Sequence, residues 1–222
     1  MKNTRLLSQF QFSALITAPF LFTFFLLALF FGCSQEKPKA PEAPVLVTIE
    51  NVQIAYGKGL KQQHMYDDFV RQAEKERLPN IAHRFRAVAR SEEIHAALHA
   101  EFLKQHGVEP RRPVIDSVTV GKTLQTLKMA LSMEEIETES MYPNLIRTAE
   151  IEKLADAARQ LAQIRDADAR HTELLKEVLD KSGKIVKSPY LVCRTCGFIV
   201  ISAGAAECPN CRAANSSLEI VL

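Results

Sequence analysis

An acid followed three residues later by a histidine occurs twice in this sequence within long stretches of helical periodicity, as Glu92-x-x-His95 and Asp168-x-x-His171. Two acids share the same spacing in Glu134-x-x-Glu137. A spacing of three keeps both members of a pair on one face of a helix. Steps of three and four place each pair on an apolar seam. One seam reads Ile81, Phe85, Val88, Glu92, His95, His99, Phe102; the next reads Leu127, Ala130, Glu134, Glu137, Met141, Leu145. The last reads Leu154, Ala157, Leu161, Ile164, Asp168, His171, Leu175, Val178. Four carboxylates facing a shared interior repel one another and lose their hydration, so their charge must be compensated. Two divalent cations cancel four negative charges, and mixed carboxylate and imidazole donors suit iron or manganese. A lone Glu-x-x-His is ordinarily a solvated face; three helices with the same interruption point to a metal site. His99 continues its seam as a core or supporting histidine, whereas His64, His83 and His106 fall off the seams and read as surface residues.

A second cluster closes the chain: Cys193-x2-Cys196, eleven residues, then Cys208-x2-Cys211. Two such pairs within about twenty residues are the signature of a tetrahedral metal site. Gly197 after the first pair and Pro209 within the second suit tight turns whose amides point at sulfur. Spacing alone leaves iron and zinc open, and disulfides are a third option in an oxidising compartment.

The elements that must position these residues can be read from the same periodicity. From Thr48 to Lys181 there are only four glycines, at 57, 59, 107 and 121. We expect helices over about 48–76, 79–106, 117–150 and 152–181. Pro79 lies in a first turn, Gly107 just past an end, and Pro143 is a place for a bend. Four helices of this length with one longer connection through Pro110 and Pro113 make a four-helix bundle. Residues 184–222 are different, short and rich in Val and Ile around the cysteines.

The chain of 222 residues carries 28 basic and 26 acidic side chains, and its net charge of +2 gives no electrostatic case for nucleic acid. The charge is unevenly spread. None occurs between Arg5 and Glu36, and Lys2 and Arg5 precede an apolar run from Phe12 to Gly32 that meets Cys33. This start resembles a bacterial lipoprotein signal, with Cys33 as the lipidated residue; an uncleaved membrane helix and an ordinary secretory signal are the alternatives. All three export the body of the protein. Ser34 to Pro44, with three prolines, reads as an extended tether. The expected organisation is a signal or anchor at 1–32, a Pro-rich tether at 33–47, a helical bundle at 48–182 and a four-cysteine β module at 183–222.

The stretches RSEEIHAALH (90–99), MEEIETESMYP (133–143) and DADARHTELL (166–175) resemble the rubrerythrins, and the resemblance extends over roughly residues 48–222. It implies a mainly α chain: a ferritin-like four-helix bundle with a di-iron centre, followed by a rubredoxin-like module. By that resemblance Glu92 and Asp168 bridge two irons, Glu134 and His171 hold one of them, and Glu137 and His95 alternate on the other. Tyr142 hydrogen-bonds near the irons. Cys193, Cys196, Cys208 and Cys211 bind one further iron, with zinc the alternative. Two departures stand out. Asp168 replaces a glutamate, and the family's first-helix glutamate falls on Gly59, within a seam reading Val52, Tyr56, Gly59, Gln63, Tyr66, Val70, Ala73. The resemblance implies peroxidase-type reduction of hydrogen peroxide, or of oxygen, with electrons from an external donor through the four-cysteine iron, in a membrane-attached homodimer. The alternatives are a tethered iron-binding or electron-transfer protein with a degenerate bundle site, and an interaction module with a structural zinc ribbon.

Overall fold

The computed structural model describes residues 46–221 apart from 117–118 and 202–203. The leader at 1–32, Cys33 and the tether as far as residue 45 lie outside the described residues. No helix among the described residues is long and apolar enough to cross a membrane.

Helix α1 (Val47–Lys75) and helix α2 (Pro79–Gln105) form a long hairpin. Its turn is closed by Arg77 in the left-handed region and by the Leu78 amide bonding to Ala73 O at 2.8 Å. The proline at the first position of α2 gives up an amide that has no helical partner there. At the far end, Val108 N–H reaches Leu103 O and Gly107 N–H reaches Lys104 O, a pairing that satisfies the last carbonyls. The following connection runs back along α1, where the buried amide of Gln53 exchanges two hydrogen bonds with the backbone of Arg111, both 2.9 Å.

The expected third helix is three pieces. Helix α3 (Thr123–Ile136) starts six residues later than its periodicity suggested, because Glu76 caps its first amide from another element. A π turn follows at Glu137–Met141, then helix α4 (Tyr142–Ile151). One extra residue in that turn moves the inward seat from Met141, where the seam put it, to Tyr142, which is 3% exposed, and then to Ala149. Helix α5 (Ala155–Asp180) completes the bundle. Glu152, just before it, accepts the first amides of α1 from Val47 and Thr48 at 2.9 Å each.

The chain ends in an antiparallel sheet of order β2-β1-β3, with β1 at Tyr190–Cys193, β2 at Ile199–Val200 and β3 at Leu218–Val221. Cys193 faces Leu218 and Leu191 faces Val200 across the ladders. The sheet is fastened to α2. Buried Arg84 donates to the Tyr190 hydroxyl at 2.7 Å and to Leu174 O at 2.6 Å, and pairs with Glu177. His83, expected at the surface, lies edge-on to the Tyr190 ring with Nε2 2.7 Å from Val221 O. The face of α2 that periodicity called exposed is therefore half covered by the terminal sheet.

Two apolar clusters fill the bundle. One gathers Phe69, Phe85, Val88, Leu174 and Leu175; the other gathers Val52, Tyr56, Phe102, Leu161 and Ile164. In both α2 and α5 the buried acids and histidines fall between the residues of these clusters, so the polar band is walled on either side by hydrocarbon.

Candidate metal centres

Glu92, Glu134, Asp168 and His171 are buried on α2, α3 and α5, and one ligand atom of each lies within 4.8 Å of the others. His171 Nδ1 is 3.2 Å from Glu134 Oε2, 3.4 Å from Glu92 Oε1 and 3.6 Å from Asp168 Oδ1. Donors that each sit about 2.1 Å from a shared ion are about 3.0–3.4 Å apart at right or tetrahedral angles, so these separations are close to those of a coordination shell. Both oxygens of Asp168, Glu92 Oε1 and His171 Nε2 are buried without a hydrogen-bond partner. Buried polar atoms of that kind call for an ion or a water. Three carboxylates and an imidazole are a donor set that fits iron.

His95 flanks this cluster with Nδ1 3.2 Å from Asp168 Oδ1 and 3.8 Å from Glu92 Oε1. Glu137, one turn beyond Glu134, is held from α1. Gln62 Nε2 donates to its Oε1 at 2.8 Å, and Lys58 Nζ forms an ion pair with its Oε2. The α1 seam was expected to turn Gln63 inward; Gln62 is the buried one. Tyr66, also on α1, donates its hydroxyl to Glu134 Oε1 at 2.5 Å. Tyr142 is buried among Phe102, Leu161 and their neighbours, and burial with nearby Asp168 and Glu92 suppresses its ionisation.

The charges explain the need for a cation. Burial pushes the Glu134 and Glu137 carboxyls up, Glu137 to about 9, and neighbouring acids add to the effect. Burial also works to raise Glu92, but His171, His95 and Lys58 outweigh it and hold that group at about 2. Burial would lower His171, yet its contacts with Glu134 and Glu92 raise it well above its ordinary value. Lys58 is likewise raised, because Glu137, Glu92 and Asp168 together outweigh burial. A metal ion among these groups favours every carboxylate in its ionised form.

The second centre is the four-cysteine cluster. The cysteines are free thiols, buried except for half-buried Cys211, with Cys193 Sγ 3.7 Å from Cys211 Sγ and Cys196 Sγ 3.6 Å from Cys208 Sγ. Sulfurs about 2.3 Å from a tetrahedral ion are about 3.75 Å apart, so both separations are edges of such a tetrahedron. A hydrogen bond from Cys196 and amides of Thr195 and Cys196 bring the Cys193 thiol down to about 5 against burial. Asn210 ties the second knuckle to α5, bonding Gln163 O at 2.8 Å and Cys196 Sγ at 3.6 Å.

The two centres meet in one chain. His95 Nε2 is 3.2 Å from the carbonyl oxygen of Cys196, and Ser91 Oγ donates to Gly197 O at 2.7 Å. Gly197 has φ +78°, and a Cβ there would stand 2.2 Å from His95 Nε2. Only glycine lets the first knuckle sit on α2 in this way.

The family model for rubrerythrins matches residues 50–179. The chain belongs to the rubrerythrin family. It is 30% identical over 171 residues to rubrerythrin-2 of Clostridium acetobutylicum, covering 74% of this chain and 91% of that one. Against nigerythrin of Nitratidesulfovibrio vulgaris it is 24% identical over 164 residues, covering 74% of this chain and 81% of the relative. The solved structure of nigerythrin in a mixed-valence state superposes with a TM-score of 0.72 at 23% identity, covering 81% of this chain and 88% of the other. The shared fold is a ferritin-like bundle with a rubredoxin-like module. Rubrerythrins bind iron, and this one has a di-iron-like set of Glu, Asp and His side chains beside its four-cysteine cluster.

Of the bundle residues singled out in the sequence of this rubrerythrin, Glu92, Glu134, Asp168 and His171 share one cluster, His95 faces both centres, and Glu137 turns to Lys58 and Gln62. Gln62 and Lys58 are site residues that lie off the expected seam, and Tyr66 lies on it among residues that read as core. The signal available for Lys58 was its place beside Gly59, where the expected acid is missing.

Proposed function

We propose that the protein is an exported, membrane-tethered rubrerythrin that reduces hydrogen peroxide to water at the bundle site, with electrons from an external donor entering through the four-cysteine iron. The change is H2O2 + 2 H+ + 2 e− → 2 H2O. The observation that carries this reading is the 3.2 Å contact of His95 Nε2 with Cys196 O, which joins the two centres by one hydrogen bond. Iron, when bound, supplies the electron exchange through its ferrous and ferric states. The protein's part is to orient and to exclude water. Cys196 O accepts from His95 Nε2–H, which leaves the Nδ1 lone pair turned to Asp168 and Glu92. Tyr66 fixes Glu134 and holds a proton at the site. A cavity of about 630 Å³ lined by Gly57, Lys58, Gln62, Met65, Pro113 and Met133 brings a small neutral molecule as far as Lys58 and Gln62, the two side chains that hold Glu137. The arrangement works within one chain, whether or not the protein also forms the homodimer implied by resemblance.

A second reading is an iron-binding, electron-transfer protein without peroxide turnover. It draws on Gly59, which offers no carboxylate from α1, and on the ion pair that occupies Glu137. Rapid mixing of the iron-loaded, chemically reduced protein with peroxide separates the two. We expect the visible absorption of the oxidised four-cysteine iron to return within the mixing time course; reduced centres that persist in excess peroxide would leave the second reading standing. Export rests on Lys2, Arg5, the apolar run to Gly32, and Cys33. A lipid anchor predicts that a labelled fatty acid is incorporated into the wild-type chain and not into Cys33→Ser.

A further inference from the structure

The four bundle carboxylates do not share one environment. Glu92, Glu134 and Asp168 turn oxygens toward His171, whereas Glu137 turns toward α1. Gln62 Nε2 donates to Glu137 Oε1, and the Lys58 ammonium is ion-paired with Oε2. Lys58 also donates to Gln62 Oε1, so lysine, amide and carboxylate close a ring of three contacts. Lys58 lies next to Gly59, the position where the resemblance expects an acid. Restoring an acid there requires α2 to give way by a few tenths of an ångström. A Cβ on Gly59 would meet Ala96 Cβ at 3.2 Å and the Ala96 amide nitrogen at 3.4 Å, because α1 and α2 touch backbone to backbone. The helix that ought to give a second metal an anion therefore gives the site a cation.

We propose that the Lys58 ammonium takes the place of a second metal ion, so that the bundle of this rubrerythrin binds a single metal at Glu92, Glu134, Asp168 and His171. A second ion at Glu137 must displace the ammonium from Oε2 and Gln62 from Oε1. It must then sit beside a like charge or drive the Lys58 stem out into the cavity that it lines. Only His95 and the shared oxygens of Glu92 and Asp168 would be left to hold it. The first ion meets no such obstacle, since the cluster around His171 keeps buried oxygens without partners.

This inference rests on the reading that the bundle binds redox-active iron, and metal counting tests the two apart. The full-length protein, expressed with iron and purified, is expected to hold two metals per chain, one in each centre. Its Mössbauer spectrum should show a magnetically isolated bundle iron beside the four-cysteine iron. Lys58→Glu, which replaces the cation by a ligand, should raise the count to three and give a coupled ferric pair. Lys58→Met keeps a stem of similar length without the charge, and guards against a folding failure of the first variant; it should raise the occupancy of the second position above the wild type. Three metals in the wild type would overturn the proposal. So would a count fixed at two in both folded variants, which would show that Lys58 does not exclude the second ion. One metal per chain, in the cysteines alone, would overturn both this proposal and the functional reading beneath it.

Discussion

His99 is the buried polar side chain for which the metal chemistry has no evident use. Both ring nitrogens are enclosed without a hydrogen-bond partner, and burial, helped by His95 and Lys58, holds the imidazole down at about 3 from an ordinary 6.5. Between those values the unfolded chain binds a proton that the folded chain refuses, so stability falls as pH drops through the window. His99→Leu replaces an unpartnered imidazole by a side chain of similar volume. Relative to wild type it should gain about 2 kcal/mol on going from neutral pH to about pH 5, and the gain should grow in more acid solution. Urea unfolding of both metal-loaded proteins at the two pH values checks this; parallel pH dependences would show that His99 is hydrated or paired in solution. The same residue illustrates what a sequence displays at this scale. Glu92, Glu134, Asp168 and His171 were legible because each takes a seat that its seam reserves for hydrocarbon. Lys58, Gln62 and Tyr66 were not. Lys58 reaches the site by the length of its stem from the flank of its helix. Gln62 differs from Gln63 by one residue, a rotation of about 100° that periodicity alone resolves poorly. Tyr66 was on its seam but looked like core.

The element that most shapes the site is the π turn at Glu137–Met141. Glu134 and Glu137 precede or open it and keep the spacing of an ordinary helix, while everything after it is rotated by one residue. That rotation brings Tyr142 and Ala149 to the interior. Thr138 supports the widened turn by donating its hydroxyl to the carbonyls of Glu134 and Glu135 at 2.9 and 3.2 Å. Deleting exposed Ser140 removes the extra residue without removing a buried side chain. The deletion puts Tyr142 seven residues after Glu134, so the expected result is an uninterrupted α-helix that keeps Tyr142 and Ala149 inward, with stability changed by no more than about 1 kcal/mol. Helical circular dichroism and the denaturation midpoint should both survive; a midpoint lowered as by the loss of a large buried side chain would mean that the turn is not a one-residue insertion in an otherwise regular helix. Helix existence and several ends were readable because Pro79 and Gly107 punctuate the pattern. The π turn was not, because a single inserted residue leaves no composition of its own. The start of α3 was hidden for a different reason, since its cap, Glu76, comes from elsewhere in the chain.

At the scale of the molecule the decisive feature is that one chain brings both centres together. The family resemblance implied a homodimer, and the cysteine spacing says nothing about where the module docks. What the sequence did carry, in hindsight, was Gly197, because a left-handed glycine directly behind a ligand cysteine can serve both the knuckle and a close approach. Here it serves both, with His95 and Ser91 against the turn and Arg84, His83 and Arg90 fastening the sheet around it. This geometry predicts the outcome of a complementation experiment. One variant, Cys208→Ser with Cys211→Ser, loses the four-cysteine iron but keeps the bundle; another, Glu92→Gln with His171→Gln, keeps the cysteines but loses the bundle site. If electrons pass within one chain, neither variant alone nor an unfolded and refolded mixture of the two should recover more than a few per cent of the peroxide-driven reoxidation rate. If the modules are exchanged between chains, the mixture should recover a sizeable fraction, because mixed dimers would pair an intact bundle with an intact cysteine module. Gly197→Ala supplies the matching control in a single chain. Its Cβ cannot coexist with His95 Nε2 at 2.2 Å, so the knuckle must lift from α2. The four-cysteine iron should then remain bound while its reoxidation by peroxide slows at least tenfold. An unchanged rate in that variant, or full recovery in the mixture, would show that electrons do not travel by the Cys196 to His95 contact within the chain.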